Sequence, residues 1–114
     1  MEKIVEQGLL YDFYGELLTD HQKKIYEDFV YHDLSLSEIA EEYQISRQGV
    51  HDVIRRCDKS LEKYEEKLKL VARFMRIREK TEELNHLTGG VLIDKEKLTE
   101  RVNEISAEIL AELM

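Results

Sequence analysis

The chain has 114 residues, a formal charge of −8, no proline and a single cysteine. That length holds one domain, or one small domain with an extension, and leaves no room for a large enzyme cleft. One cysteine excludes an internal disulfide, no apolar stretch is long enough to span a bilayer, and the opening MEKIVEQGLLYDF lacks a signal-peptide layout, so a cytoplasmic protein without membrane contact is expected.

The absence of proline suits uninterrupted helices, and no segment alternates with β-branched residues as a strand would, so the expected fold class is all-α. The first helix is expected over Glu2 to Leu18, with Leu9, Leu10, Phe13, Tyr14, Leu17 and Leu18 on one apolar face. Gly15 either permits close packing or marks an early end. Tyr11, Phe13 and Tyr14 form an aromatic cluster, and their helical spacing and acidic flanks assign them to the core rather than to base stacking. A second helix starts at Thr19, where Thr19 and Gln22 make a capping box and Asp20 suits the positive helix end. Ile25, Tyr26, Phe29 and Val30 give its buried stripe, and His32 and Asp33 turn the chain. Asp20, His21, Asp28, His32 and Asp33 carry ligand-type atoms, but no HxxxH or HExxH spacing is present, so neither a metal nor a cofactor is expected.

A short third helix is expected from Ser35 to Tyr43, opened by a capping box of Ser35 and Glu38. A break follows at Gln44 and Ile45, and Ser46 caps a new apolar period. Ile39, Ala40, Ile45, Val50 and Ile54 would pack the two helices together as a helix-turn-helix. The run SLSEIAEEYQISRQGVHDVIRR resembles the helix-turn-helix of the sigma-factor C-terminal domain, region four, with Ser46, Arg47, Val50, Ile54 and Arg55 on its pattern. The longer run LLYDFYGELLTDHQKKIYEDFVYHDLSLSEIAEEYQISRQGVHDVIRR resembles the small bacterial YlxM family, over roughly the first two-thirds of the chain. That resemblance implies a sigma-like, all-helical regulatory protein linked to the signal recognition particle pathway, with the particle's RNA, promoter-like DNA or the particle's protein components as partners.

Charge is unevenly placed: residues 1–45 carry a net −8, residues 46–80 a net +5 and residues 81–114 a net −5. The positive excess therefore begins where the recognition helix of the motif would begin, at Ser46. With Val50, Val53, Ile54 and Cys57 facing inward, Arg47, Gln48, His51, Asp52 and Arg55 face outward near the helix start. Arginine pairs with guanine edges, glutamine with adenine edges, and either holds phosphate. The expected nucleic-acid-binding set is Arg47, Gln48, His51, Arg55, Arg56 and Lys59. Asp52 would repel phosphate unless it reads a cytosine amino group or pairs with Arg55 or Arg56.

Val50, Ile54, Cys57, Leu61, Tyr64, Leu68, Val71 and Met75 step by alternating fours and threes, a heptad run. It predicts one long helix from Ser46 to near Glu79, about 50 Å at 1.5 Å per residue. Leu61, Tyr64, Leu68, Val71 and Met75 would form the seam of a homodimer, widened by Leu70, Phe74 and Ile77. Thr88, Gly89 and Gly90 predict a break. Asp94 would cap a last, acidic helix to about Leu113, with Leu98, Val102, Ile105, Ile109 and Leu113 as its stripe. That helix is expected to fold back on the basic long helix, where it would compete with nucleic acid, or to pair across a dimer. The expected domains are a helix-turn-helix domain, 1–60, and a dimerisation or regulatory extension, 61–114. No phosphate loop, GxSxG or zinc spacing appears, and the histidines at 21, 32, 51 and 86 are scattered, so no enzyme is expected. Two functions fit: a regulatory nucleic-acid-binding protein, or a protein-interaction adaptor of the signal recognition particle or its GTPase.

Overall fold

The computed structural model describes residues 2–89 and 95–114. Helices α1 (Lys3–Tyr14), α2 (Asp20–Val30), α3 (Leu36–Tyr43), α4 (Arg47–Leu68), α5 (Leu70–Gly89) and α6 (Lys95–Leu113) follow one another, and the described residues contain no strand. The chain is all-α. It divides into two compact units, residues 1–69 and 70–114.

In the first unit, local capping chemistry sets most helix starts. Thr19 accepts from the Gln22 backbone N–H while the Gln22 side chain accepts from the Thr19 N–H, the expected capping box. Ser35 and Glu38 repeat it at α3. Ser46 Oγ accepts from the Gly49 N–H at 2.9 Å and starts α4. Between α3 and α4 the chain needs only Gln44, Ile45 and Ser46 to turn. Gln44 lies in the left-handed region (φ 54°), and its N–H reaches back to Ala40 and Glu41. These three residues and the two helices they join are a helix-turn-helix.

Helix α4 is the spine of this unit, with α1, α2 and α3 all packed on it. Its Val50, Ile54, Cys57 and Leu61 are buried against Leu10, Tyr14, Leu18, Ile25, Tyr26 and Ile39. Each fully buried apolar side chain of this size contributes about 1.5–3 kcal/mol. Phe29 and Val30, expected in the α2 stripe, are only half-buried.

Two expectations are corrected. The first helix stops at Tyr14, and Gly15–Leu17 form a tighter 3₁₀ turn. The cause is crowding: a Cβ on Gly15 would lie 2.8 Å from the Tyr11 ring, so the glycine lets the chain close against it. Phe13 and Leu17 accordingly leave the apolar face, and Leu17 is 57% exposed. Second, the long helix from Ser46 to Glu79 is two helices. Lys69 adopts the left-handed conformation (φ 55°) and ends α4, its N–H bonded to the Glu65 carbonyl. Leu61 is the last residue of the stripe that the first unit covers completely; Leu68, the residue just before the stop, is 48% exposed. The two compact units meet at 69/70: Leu61 is fully buried and Glu65 accepts from the Tyr14 hydroxyl, and both belong to the first unit.

The dimer seam is affected in the same way. Leu61 is consumed by the core, Tyr64 stacks obliquely near Tyr14 with ring centroids 6.1 Å apart, Val71 is buried within the single chain, and Met75 is half-buried. Leu68 is the member of the five that is left openly exposed.

In the second unit, α5 and α6 form an antiparallel hairpin. Ion pairs step along it: Arg76–Glu112 at 2.8 Å, Lys80–Glu108 at 2.8 Å and Glu83–Arg101 at 2.5 Å. Ile105 is completely buried, Leu98, Val102 and Ile109 are half-covered, and Leu113 is 68% exposed, so it drops out of the expected stripe. Helix α5 runs through Thr88 to Gly89, past the start of the expected break. Gly90 and the expected cap Asp94 lie outside the described residues.

Candidate nucleic-acid interface

Burying Val50, Ile54, Cys57 and Leu61 turns the opposite side of α4 outward. Arg47, Gln48, His51, Arg55, Arg56 and Lys59 are all exposed there. The structure does not gather all six at one point. Arg55, Arg56 and Lys59 line one open depression with Asp52, while Arg47, Gln48 and His51 lie on the preceding turns. From Arg47 to Lys59 the row spans about 18 Å.

The charge state of this face is its main feature. Among the described residues, Arg47, Arg55, Arg56, Lys59, Lys63 and Lys67 of α4 form no ion pair. Three of the acids that α4 carries take neutral donors, while Glu62 and Glu66 are exposed. Asp52 accepts from Gln48 Nε2 at 3.0 Å and not from Arg55 or Arg56. Asp58 is held from the inner side: Tyr26 donates to its Oδ1 at 2.5 Å, and Gln7 Nε2 donates to Oδ1 and Oδ2 at 3.0 and 3.1 Å. Glu65 accepts from the Tyr14 hydroxyl at 2.6 Å.

This pairing of phenol with carboxylate extends through the first unit. Tyr11 donates to Glu27 at 2.6 Å, Tyr43 to Asp28 at 3.0 Å, and Tyr31 to Asp12. Five of the six tyrosines in the chain thus serve a carboxylate. Burial, reinforced by the hydrogen bond to Asp28, pushes the Tyr43 hydroxyl up to about 12. The same two causes move Tyr11, Tyr26 and Tyr31 upward, so these phenols stay protonated and able to donate. A neutral donor satisfies a carboxylate without using a cation. The cations of α4 are consequently left for another anion.

The acids of the second unit behave oppositely. Lys80 holds the Glu108 carboxyl below its ordinary value, and Arg76 does the same to Glu112. The acidic helix α6 is therefore matched by the cations of α5.

The other sequence candidates resolve as structure. Tyr14 is a core residue, as its spacing implied, at 1% exposed, and Tyr11 is half-buried with its ring stacked on Tyr26 at 5.6 Å. Asp28 bridges His32 Nδ1 (2.9 Å) and the Tyr43 hydroxyl. The described residues contain no cluster of three or more His, Cys, Asp or Glu able to hold a metal, and no helix long and apolar enough to cross a membrane. Cys57 is completely buried on the α4 stripe, and burial pushes its thiol up to about 11.

Gln7 and Asp58 were not singled out from the sequence. A signal for each exists. Gln7 sits three residues before Leu10 on the same helix face, and Asp58 lies beside Ile54, Cys57 and Leu61 on the inner half of α4, where a solvated acid has no place.

Comparison with known proteins fits this arrangement. A family model, UPF0122, described as helix-turn-helix protein, YlxM / p13 like, matches residues 1–105. The UPF0122 protein of Thermoanaerobacter sp. (strain X514) is 45% identical over 106 residues, covering 89% of this chain and 88% of the relative. The UPF0122 protein YlxM of Bacillus subtilis is 44% identical over 90 residues, 79% of this chain and 82% of the relative. A UPF0122 protein of Listeria innocua is 42% identical over 103 residues, 90% of each chain. With its helix-turn-helix formed by α3 and α4 and its match running over most of its length, the chain belongs to the UPF0122 family of YlxM / p13-like helix-turn-helix proteins.

Proposed function

We propose that this protein is a regulatory nucleic-acid-binding protein that grips phosphates with the outer face of α4, acting in the signal recognition particle pathway to which the YlxM resemblance points. One observation carries the proposal. Every cation of α4 is without an ion pair among the described residues, on a helix where Asp52, Asp58 and Glu65 take glutamine or tyrosine donors and Glu62 and Glu66 are exposed. A row of unmatched arginines and lysines on a net-acidic protein is a surface in want of an external polyanion.

Fluorescence anisotropy tests it, with two labelled ligands: signal recognition particle RNA and a mixed-sequence DNA duplex. Binding is expected to weaken with salt. Three to five phosphate contacts correspond to a slope of log K against log salt of about −3 to −4. Changing both Arg55 and Lys59 to Glu is expected to abolish binding and its salt dependence. If neither polymer binds at low salt, the nucleic-acid function is wrong. The acidic depression on α3, lined by Leu34, Glu38, Glu41 and Glu42, then favours the adaptor function instead.

A further inference from the structure

A carboxylate in the middle of a phosphate-binding face is a liability unless it has a task. Asp52 is such a carboxylate. It is exposed, and it lines the same depression as Arg55, Arg56 and Lys59. Arginines three and four residues further along a helix are within reach of an aspartate. Asp52 nevertheless takes its hydrogen bond from Gln48, one turn toward the helix start. In a helix-turn-helix, that is the end of the second helix that lies nearest the bases.

The polarity of this clasp is fixed by chemistry. A carboxylate only accepts, so the Gln48 amide must present its Nε2 to Asp52. Gln48 Oε1 is then left pointing elsewhere as a second acceptor. Asp52 itself therefore offers only acceptors, while Gln48 keeps the second N–H of its Nε2 as a donor. Phosphate oxygens, guanine O6 and N7, and thymine or uracil O4 are all acceptors and are rejected. A nucleobase amino group is a donor and is accepted, and in a duplex cytosine N4 suits a carboxylate better than adenine N6, whose neighbouring N7 is itself an acceptor.

Resting on the nucleic-acid function proposed above, we propose that Asp52 is the base-reading residue of α4. Its carboxylate accepts from the amino group of a nucleobase while Arg55, Arg56 and Lys59 hold the flanking phosphates. Gln48 is a positioning residue that orients the carboxylate. The amino group has two sources: cytosine N4 in the major groove of a duplex, or the exposed amino edge of an unpaired cytosine or guanine in a looped RNA.

Selection from two randomised pools, one of duplex DNA and one of hairpin-loop RNA, tests this. The wild-type protein is expected to enrich cytosine at one duplex position, or an amino-bearing base at one loop position, and the pool that responds identifies the source. Replacing that base with thymine or uracil is expected to weaken wild-type binding by about tenfold or more, the discrimination of one good base contact. Asp52→Asn is expected to erase the preference while tightening overall binding, because one repulsive charge is removed. Gln48→Ala is expected to reduce the preference and retain the salt slope. Enrichment that survives in Asp52→Asn, or binding of wild type without any base preference, overturns the assignment of Asp52 and leaves phosphate binding standing. Failure of wild type to bind either pool at low salt overturns both.

Discussion

Removing the hydroxyl of Tyr26 tests the logic of the first unit most directly. Tyr26 is completely buried, and its hydroxyl donates at 2.5 Å to Asp58, a carboxylate with no cation partner. Tyr26→Phe keeps the ring, its stacking on Tyr11 and nearly all of the buried area. What it deletes is one hydrogen bond to a charged acceptor, leaving Asp58 with Gln7 alone. Such a loss costs about 1.5–3 kcal/mol. In a unit of this size, that lowers the unfolding midpoint by on the order of 10 °C. All six tyrosines lie in residues 1–69 and the chain has no tryptophan, so tyrosine near-ultraviolet circular dichroism reports the first unit alone. Urea titrations followed by that signal are to be run for Tyr26→Phe, Asp58→Asn and the pair. The two changes are expected to be non-additive, since each removes the same bond. A cost below about 0.5 kcal/mol for Tyr26→Phe, or additive effects in the pair, would refute the claim that a phenol anchors this carboxylate.

Two further outcomes are expected. Gly15→Ala places a Cβ 2.8–2.9 Å from three carbons of the Tyr11 ring, which Tyr26, Tyr31 and Glu27 hold in place, so it destabilises the first unit by about 1–3 kcal/mol; a neutral effect in the same urea titration counts against the crowding argument. In the hairpin, Lys80 and Arg76 hold the Glu108 and Glu112 carboxyls below the usual carboxylate range, so these groups add stability above that range and lose it as pH falls through their lowered folded values. Amide hydrogen exchange in α6, corrected for intrinsic rates, is therefore expected to accelerate as pH falls through and below the usual carboxylate range and on adding salt; unchanged protection would show that the pairs contribute nothing.

What the sequence discloses here is what depends on neighbours three or four residues apart. Thr19 with Gln22, Ser35 with Glu38, and Ser46 before Gly49 are caps built within one turn, and all three are where their residue types imply. The stripe of Val50, Ile54, Cys57 and Leu61 is likewise a matter of helical period. The stop at Lys69 escapes because heptad spacing says which side of a helix is apolar and nothing about how far a neighbour covers it. Neither Lys69 nor Gln44, both left-handed, is the glycine or asparagine that usually marks that conformation. The phenol–carboxylate pairs escape for another reason. Tyr14 and Glu65 are 51 residues apart, and Tyr26 and Asp58 are 32 apart. Each tyrosine reads as core and each acid as solvated surface until the fold brings them together.

Those pairs connect fold to function. An acidic protein that binds a polyanion has to keep its own carboxylates from neutralising its cations. The second unit does not: Arg76, Lys80 and Arg101 are matched to Glu112, Glu108 and Glu83. In the first unit Lys23 pairs with Glu16, but the cations of α4 form no ion pair among the described residues, and Asp58 and Glu65 take neutral phenol donors from α2 and α1. Salt should therefore act on the surface interactions and not on the core of the first unit. It weakens a hairpin laced by exposed ion pairs and would weaken the proposed phosphate binding on α4, yet it leaves that core, held by apolar burial and neutral donors, nearly untouched. A protein whose nucleic-acid affinity falls steeply with salt while its tyrosine signal does not move would separate the gripping surface from the scaffold that presents it.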